Sequence, residues 1–251
     1  MRAILRAIAP RVFTDGHRRC NELGKRLVVR RPVKRFLDVG CGDGRLTMEF
    51  AEVVRPNELW GLEIKEEMIE QCQQKGITCR PCDVNGEWQF DDGWFDLILS
   101  SQNIEHLYDT RHYLEECWRC LAPGGQLIVL TENLASWVNI WSLVLGWQPF
   151  STTSICDWNL GNPLIWHHGQ PKPSQFEEYG GTPNSHVRVL AYCGLKDLLA
   201  KTGFGEIQAY TRGYLPLFGL LSDVLCTLDR RHGHFLIATA RKSDEPVRRN
   251  R

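Results

Sequence analysis

From residue 35 onward, short apolar runs alternate with longer segments in which apolar residues recur at helical spacing. The runs at 35–39, 59–63, 77–80, 95–99 and 125–131 are nearly continuous in apolar character, as strands covered on both faces must be. Segments 44–54, 65–75 and 111–121 read as helices. The second stops at Lys75 and Gly76, and Pro123, Gly124 and Gly125 break the chain before the fifth strand. This alternation predicts an α/β fold, a mostly parallel sheet with helices on both faces. The pattern lapses between 132 and 189. Residues 134–147 are apolar and rich in tryptophan, and the stretch through Ser185 is rich in Pro, Gly, Asn and His. A loop this long inside a compact domain is functional or disordered. Its aromatic and histidine content argues against plain disorder, so it reads as a substrate-side insertion or lid. Alternation then resumes with a helix at 194–202, stopped by Gly203, and strands at 206–210 and 234–240. An apolar segment, 214–228, lies between those strands, and no internal repeat is visible.

The sharpest local signal is RFLDVGCGDGR at 35–45. An apolar run ends in Asp38, and Gly40, Gly42 and Gly44 follow at alternate positions before a helix. A strand, a tight glycine turn and a helix N-terminus make a cradle for a nucleoside-bearing ligand. A dinucleotide fingerprint spaces its glycines G-x-G-x-x-G. Here the pattern is D-x-G-x-G-x-G, with a carboxylate where a pyrophosphate would be repelled. That suits a ligand carrying positive charge and disfavours a nicotinamide oxidoreductase.

With these residues the chain resembles the class I S-adenosylmethionine-dependent methyltransferases. The resemblance extends, in the family's order and spacing, through LWGLEI at 59–64, the strand before Asp83, FDLILSSQNIEHL at 95–107 and LAPGGQLIVL at 121–130. It implies a Rossmann-like, seven-stranded, mostly parallel sheet whose last strand runs antiparallel between its neighbours. It implies S-adenosylmethionine as cofactor and S-adenosylhomocysteine as product. It also implies roles for particular residues. Gly40, Cys41, Gly42 and Gly44 would form the loop that approaches the cofactor, and Asp38 would accept from its ammonium. Glu63 would take the ribose hydroxyls and Ile64 would pack on the adenine. Asp83 and the Val84 backbone would read the adenine amine, and Ser101 and Gln102 would line the methyl-donor channel. Plain alternatives stand beside three of these: Asp38 as a cap of the next helix, Glu63 as a surface acid, Asp83 as a turn former.

A hydroxyl or amine acceptor can require a general base, and histidine suits neutral pH. His106 follows the fourth strand, in the crevice where open sheets bind ligands. His186, in a His-x-Arg element resembling that of glycan-associated methyltransferases, is the second candidate, with structural histidines as the plain reading of both. His167, His168 and Arg188 are candidate substrate contacts. No Asn-Pro-Pro-Tyr element follows the fourth strand, which argues against a nucleic-acid substrate.

Composition narrows the picture further. The 251 residues carry 30 basic and 30 acidic side chains, without the basic excess of a nucleic-acid-binding protein. The charge is uneven, however: residues 1–35 hold only two acids, Asp15 and Glu22, among many Arg and Lys. A solvated N-terminal helix or frayed tail is the plain reading, and a contact for an anionic substrate or acidic lipid is the sharper one. No secretory signal or membrane span is evident, and ten cysteines then indicate reduced thiols in a cytoplasm. The pairs Cys79/Cys82 and Cys117/Cys120 read as core residues, so no metal is expected. The apolar segments 134–147 and 214–228 read as core helices, with a peripheral membrane or lipid-linked substrate contact as the alternative. The expected organisation is a basic helical segment (1–34), a cofactor-binding half (35–131), an insertion (132–189), the rest of the domain (190–242) and a disordered tail (243–251). The expected activity is O-methylation of a small molecule, glycan or lipid-linked sugar in polysaccharide biosynthesis. The alternative is a non-catalytic cofactor-binding or interaction module.

Overall fold

The computed structural model describes residues 2–154, 158–165 and 186–243. Its strands are β1 (Arg35–Val39), β2 (Glu58–Glu63), β3 (Thr78–Pro81), β4 (Phe95–Ser101), β5 (Leu121–Glu132), β6 (Phe204–Arg212) and β7 (Phe235–Lys242). They form one sheet in the order β3-β2-β1-β4-β5-β7-β6. The first five are parallel, and β7 runs antiparallel between β5 and β6. The helices are α1 (Arg2–Arg26), α2 (Arg45–Val54), α3 (Glu66–Gln74), α4 (Thr110–Cys120), α5 (Trp137–Val144), α6 (Tyr192–Lys201) and α7 (Gly219–Leu228). This is the Rossmann-like architecture that the apolar pattern and the resemblance predict.

The strands read as unbroken apolar runs because both faces are covered. Leu37, Val39, Leu127, Val129, Leu236 and Ala238 point to one side, against Tyr113 and Leu114 of α4 and Leu195 and Leu199 of α6. Their neighbours Phe36, Ile128, Leu130, Phe235 and Ile237 point to the other, against Cys20 of α1 and Phe50 of α2. Each buried leucine or phenylalanine contributes roughly 1.5–3 kcal/mol, so the central strands form a rigid platform.

Three elements depart from expectation. The Pro-Gly-Gly break lies within β5, because Phe95 pairs with Leu121 and Leu97 with Gln126. Two steps along β4 therefore face five along β5, and Gly124, at φ 68°, absorbs the excess as a bulge. The basic N-terminal helix is no frayed tail. Val12, Gly16, Cys20 and Gly24, four apart on one face of α1, are buried, and at Gly16 a Cβ would come within 3.0 Å of the Phe235 ring. Small residues let this helix lie close on the sheet. Finally, α5 and α7 are not core helices with inward leucines. Their buried residues are Asn139 and Ser142, and Ser222 and Cys226.

The chain leaves β1 and β4 toward opposite sides of the sheet, which opens a crevice at their carboxyl ends. The expected site residues on the loops after β1, β2, β3 and β4 all lie at that end of the sheet. Of the tail expected at 243–251, only Ser243 is among the described residues.

Candidate active site

After β1 the chain turns through Gly40, Gly42 and Gly44, at φ 70°, 55° and 77°. At Gly44 a Cβ would stand 2.5 Å from Ile77 Cδ1 and 2.9 Å from Cys72 Sγ, so only glycine lets the loop seat on α3 and the chain entering β3. At Gly42 a Cβ would meet nothing within 4 Å, so that side of the loop is open. Asp38 is 2% exposed. Its Oδ2 accepts from Thr47 Oγ1 at 2.6 Å, a tie to the body of α2 and not a cap of its end. Its Oδ1 is buried without a partner. Burial pushes the carboxyl up to about 7, against the Thr47 bond and with help from the charge of Glu63.

Cys41 contributes its backbone, not its side chain, to the loop. Its N–H donates to the Leu62 carbonyl at 3.1 Å, and its Sγ turns into the core, 3.5 Å from Cys72 Sγ and 3.6 Å from Cys79 Sγ. Its side chain therefore offers a ligand nothing. No CxxC spacing links these three thiols. The parallel order β3-β2-β1 instead brings together one thiol from the glycine loop, one from α3 and one from β3.

Glu63 ends β2 and is no surface acid, being 9% exposed. Its Oε2 accepts from Gly42 N at 2.9 Å, and its Oε1 from Ile64 N at 2.9 Å and Lys65 N at 3.2 Å. The carboxylate is thus clamped against the glycine loop. Two oxygens offer about four acceptor positions, so most are already used. Ile64 beside it is 65% exposed, an apolar side chain with one face uncovered. After β3, Asp83 Oδ1 accepts from both the backbone N and the side-chain Nδ2 of Asn85 at 3.0 Å, the turn the sequence offered. Val84 packs its side chain into the core, which leaves only its backbone for a ligand.

After β4, Gln102 adopts φ 50°, donates its N–H to the Leu130 carbonyl at 2.7 Å and carries a buried Nε2 without a partner. A left-handed glutamine is a strained residue of the kind that gathers at binding sites. Ser101 precedes it, half-buried. Asn103, absent from the sequence-based list, donates to the Val39 carbonyl at 3.3 Å and to Tyr113 Oη at 3.1 Å. It ties the β4 loop to the β1 loop.

The two candidate histidines meet. His106, in a single 3-10 turn (Ile104–His106), and His186 pack ring to ring with centroids 4.9 Å apart. The far end of the insertion is pinned there, because Val187 N and Arg188 N donate to the Glu105 carbonyl at 2.7 and 3.0 Å. His186 Nδ1 lies 2.6 Å from the Ser151 carbonyl oxygen. A carbonyl only accepts, so Nδ1 carries the proton and Nε2 keeps the lone pair. Behind it, Glu132 Oε2 is 3.7 Å from His186 Nδ1 and 3.8 Å from His234 Nε2. Burial raises the Glu132 carboxyl, but His186, His234 and a Ser151 hydrogen bond outweigh it, so it stays below the usual range. Glu105, fully buried and bonded to Thr131 Oγ1 at 2.8 Å, is pushed up to about 7 by burial. Glu132, Ser151 and His234 carry no local motif, and sequence reasoning missed them. The Arg188 side chain is exposed. His167 and His168 lie outside the described residues. Among the described residues, two groups hold their donor atoms within 4.8 Å of one another, close enough for one ion: Glu105, His106 and His186, and the three thiols.

Comparison with known proteins bears on the family and the fold. Residues 37–129 match the family model described as a methyltransferase domain. The chain is 28% identical over 159 residues to a malonyl-[acyl-carrier protein] O-methyltransferase of Erwinia billingiae, covering 62% of this chain and 61% of that protein. It is 29% identical over 132 residues to a ubiquinone biosynthesis O-methyltransferase of Idiomarina loihiensis, covering 47% and 53%. The chain thus spans less than two thirds of the length of these curated relatives. An S-adenosylmethionine-dependent methyltransferase from Mesorhizobium loti superposes with a TM-score of 0.57 at 18% identity, over 88% of this chain and 97% of that one, a likeness of fold. Together with the acid-and-glycine loop and the sheet order, these matches support reading the chain as a class I S-adenosylmethionine-dependent methyltransferase, with residues 37–129 as its methyltransferase domain.

Proposed function

We propose that this chain methylates an oxygen of a small molecule, specifically a sugar of a glycan or lipid-linked glycan in polysaccharide biosynthesis, with His186 as the general base. The observation that carries the reading is the His106–His186 pair beyond the carboxyl ends of β4 and β5, with the Nδ1 proton of His186 committed to a backbone carbonyl. Oxygen as the acceptor atom is supported by the two relatives that carry O-methyltransferase in their names. The choice of a glycan rests on the His-x-Arg element at 186–188 and the long insertion before it.

The residues present fit the family's cofactor. Asp38 Oδ1 is a buried acceptor awaiting a donor, which an ammonium would satisfy, and Gln102 Nε2 is a buried donor awaiting an acceptor. Glu63 is aimed by backbone amides at the open side of the loop, where a ribose hydroxyl would reach it. Taking both hydroxyls would displace one of those amides. Ile64 offers an uncovered apolar face for a purine. When bound, S-adenosylmethionine supplies a methyl group on a cationic sulfonium. The protein's own contribution is to position the acceptor and exclude water. Nε2 of His186 receives the acceptor's hydroxyl proton, and the carboxylate of Glu132 stabilises the resulting imidazolium. Arg188, at the rim, would bind an anionic group of the substrate. Free thiols at the nine described cysteines suit the cytoplasmic location included in this reading.

Incubation with methyl-labelled S-adenosylmethionine and fractionated bacterial envelope tests it. Label is expected in a glycan or lipid-linked fraction, stable to base as a methyl ether. Label confined to nucleic acid or protein would contradict the substrate class. Tight cofactor binding with no transfer to any fraction would favour the non-catalytic module.

A further inference from the structure

Two helices of this protein are built inside out. A helix on the surface of a water-soluble domain turns its apolar stripe inward. In α7 the buried positions are Ser222 and Cys226, whereas Leu220 is 79% exposed, Leu221 56%, Val224 54% and Leu228 78%, with Phe218 just before the helix at 64%. In α5 the buried positions are Asn139 and Ser142, and Trp141, Leu143 and Val144 are each more than half exposed.

The inward polar groups are committed. Ser222 Oγ accepts from Tyr214 N at 2.7 Å. Asn139 Nδ2 donates to the Asn133 carbonyl at 3.0 Å and to Ser151 Oγ at 2.9 Å. Asn162 Nδ2 donates to Ser142 Oγ at 3.0 Å. Neither helix can roll its leucines inward without breaking these bonds, so the orientation is built in. The start of α5 is fixed beside the end of α7, because Trp137 Nε1 donates to Asp229 Oδ2 at 2.8 Å and the Trp137 ring packs on His232. Large apolar side chains turned outward on two neighbouring helices mark an interaction surface.

Charge selects the partner. The two acids of this region are turned inward to partners: Asp223 pairs with Arg19 of α1 and with Arg212, and Asp229 is hydrogen-bonded to Trp137, Tyr214 and His232. Arg230 and Arg231, directly after α7, are exposed. Alongside, α1 is joined to α7 by the Arg19–Asp223 pair and by Gly219 N donating to Asp15 Oδ2 at 3.0 Å. It belongs to an N-terminal segment, residues 1–34, with ten Arg and Lys against two acids. A cationic rim around outward leucines and a tryptophan is the composition of a helix that lies in a bilayer interface. A second copy docking on the same face would set Arg230 and Arg231 against their like, whereas anionic headgroups complement them. No described helix is long and apolar enough to cross a membrane, so the contact is peripheral.

We infer that the outward faces of α5 and α7, rimmed by Arg230, Arg231 and the basic α1, dock this protein on an anionic lipid surface. The inference deepens the reading above and rests on it only for the acceptor, which the docked enzyme meets at the membrane. The leucines enter the acyl boundary, and the arginines hold the phosphates.

Co-sedimentation with vesicles tests this on the full chain. Vesicles of equimolar phosphatidylcholine and phosphatidylglycerol should bind the protein at least about tenfold more strongly than phosphatidylcholine alone, and added salt should weaken the binding. The double variant Leu220→Glu/Leu221→Glu changes only exposed positions. It should lose at least about tenfold in binding to the anionic vesicles while keeping wild-type affinity for S-adenosylhomocysteine. Arg230→Glu/Arg231→Glu should remove most of the preference for phosphatidylglycerol. Wild-type protein that stays in the supernatant, or a leucine variant that sediments as well as wild type, would overturn the inference. So would a dimer in solution that the leucine variant dissociates, because the face would then join two copies. Cofactor affinity measured on the same samples keeps the readings apart: its absence would sink the methyltransferase reading and leave the vesicle result standing.

Discussion

Replacing His186 by alanine is expected to lower kcat by about 10²- to 10⁴-fold, the usual contribution of a positioned general base. The measurement uses the acceptor that the labelling experiment yields. Cofactor affinity should stay within about twofold, because His186 belongs to the insertion side of the crevice and none of the bonds that build the glycine loop involves it. The acid limb of the kcat/KM profile should flatten in the variant, and added imidazole should restore part of the rate. A purely structural histidine would show neither the flattened limb nor the rescue. His106→Ala should cost less, since the acceptor's proton is assigned to Nε2 of His186, whose tautomer Ser151 and Glu132 fix. A His186→Ala enzyme with unchanged kinetics would remove His186 from the chemistry.

The second large effect runs in two directions. Asp38→Asn is expected to stabilise the cofactor-free protein above pH 7 and to weaken cofactor binding. The sign follows from the carboxyl, which burial moves from 3.8 to about 7. Between those values the folded state binds a proton that the unfolded state has released, so stability falls as pH rises through the window and stays lower above it. Three units correspond to at most about 4 kcal/mol, and relaxation and water entry reduce this to a few. Asparagine keeps the Thr47 bond and removes the charge. The melting temperature of the variant should therefore exceed that of wild type at pH 8, and the gap should narrow as pH falls below 7 and close only below about pH 4. Glu105 titrates in the same window, but it is present in both proteins and cancels in the difference. Cofactor affinity should show the reverse. Wild-type binding should weaken by up to about tenfold per pH unit below 7, and the variant should bind weakly throughout. Equal melting temperatures at pH 8, together with wild-type affinity, would show that Asp38 is neither strained nor a cofactor ligand.

The cofactor half was legible in the sequence because its signals are local. A strand buried on both faces must be an apolar run, and a loop seated on Ile77 and Cys72 must put glycine at position 44. The insertion was legible only as an interruption. That His106 and His186 meet depends on Val187 and Arg188 pairing with the Glu105 carbonyl, a contact across the chain that no spacing encodes. Glu132 and His234 reach His186 because β5 and β7 pair in register, Glu132 opposite Phe235. The inverted helices were misread for a general reason. Periodicity shows that one face of a helix is apolar, but only the packing decides which face points in. Here Asn139, Ser142 and Ser222 carried the clue, as polar residues with partners waiting in the fold. On α1, the run of Val12, Gly16, Cys20 and Gly24 was a signal for close packing that the surrounding arginines obscured.

The claim on which the rest depends is that the crevice at the carboxyl ends of β1, β2 and β4 holds the family's cofactor. Calorimetric titration with S-adenosylhomocysteine tests it most directly, because that ligand keeps the ammonium, ribose and adenine and requires no acceptor. One-to-one binding is expected for the wild type. At least about 100-fold weaker binding is expected for Glu63→Ala, which loses charge-assisted hydrogen bonds of about 1.5–3 kcal/mol each and releases the Gly42 amide. Absence of binding to folded wild-type protein, or equal affinity in Glu63→Ala, would contradict the account.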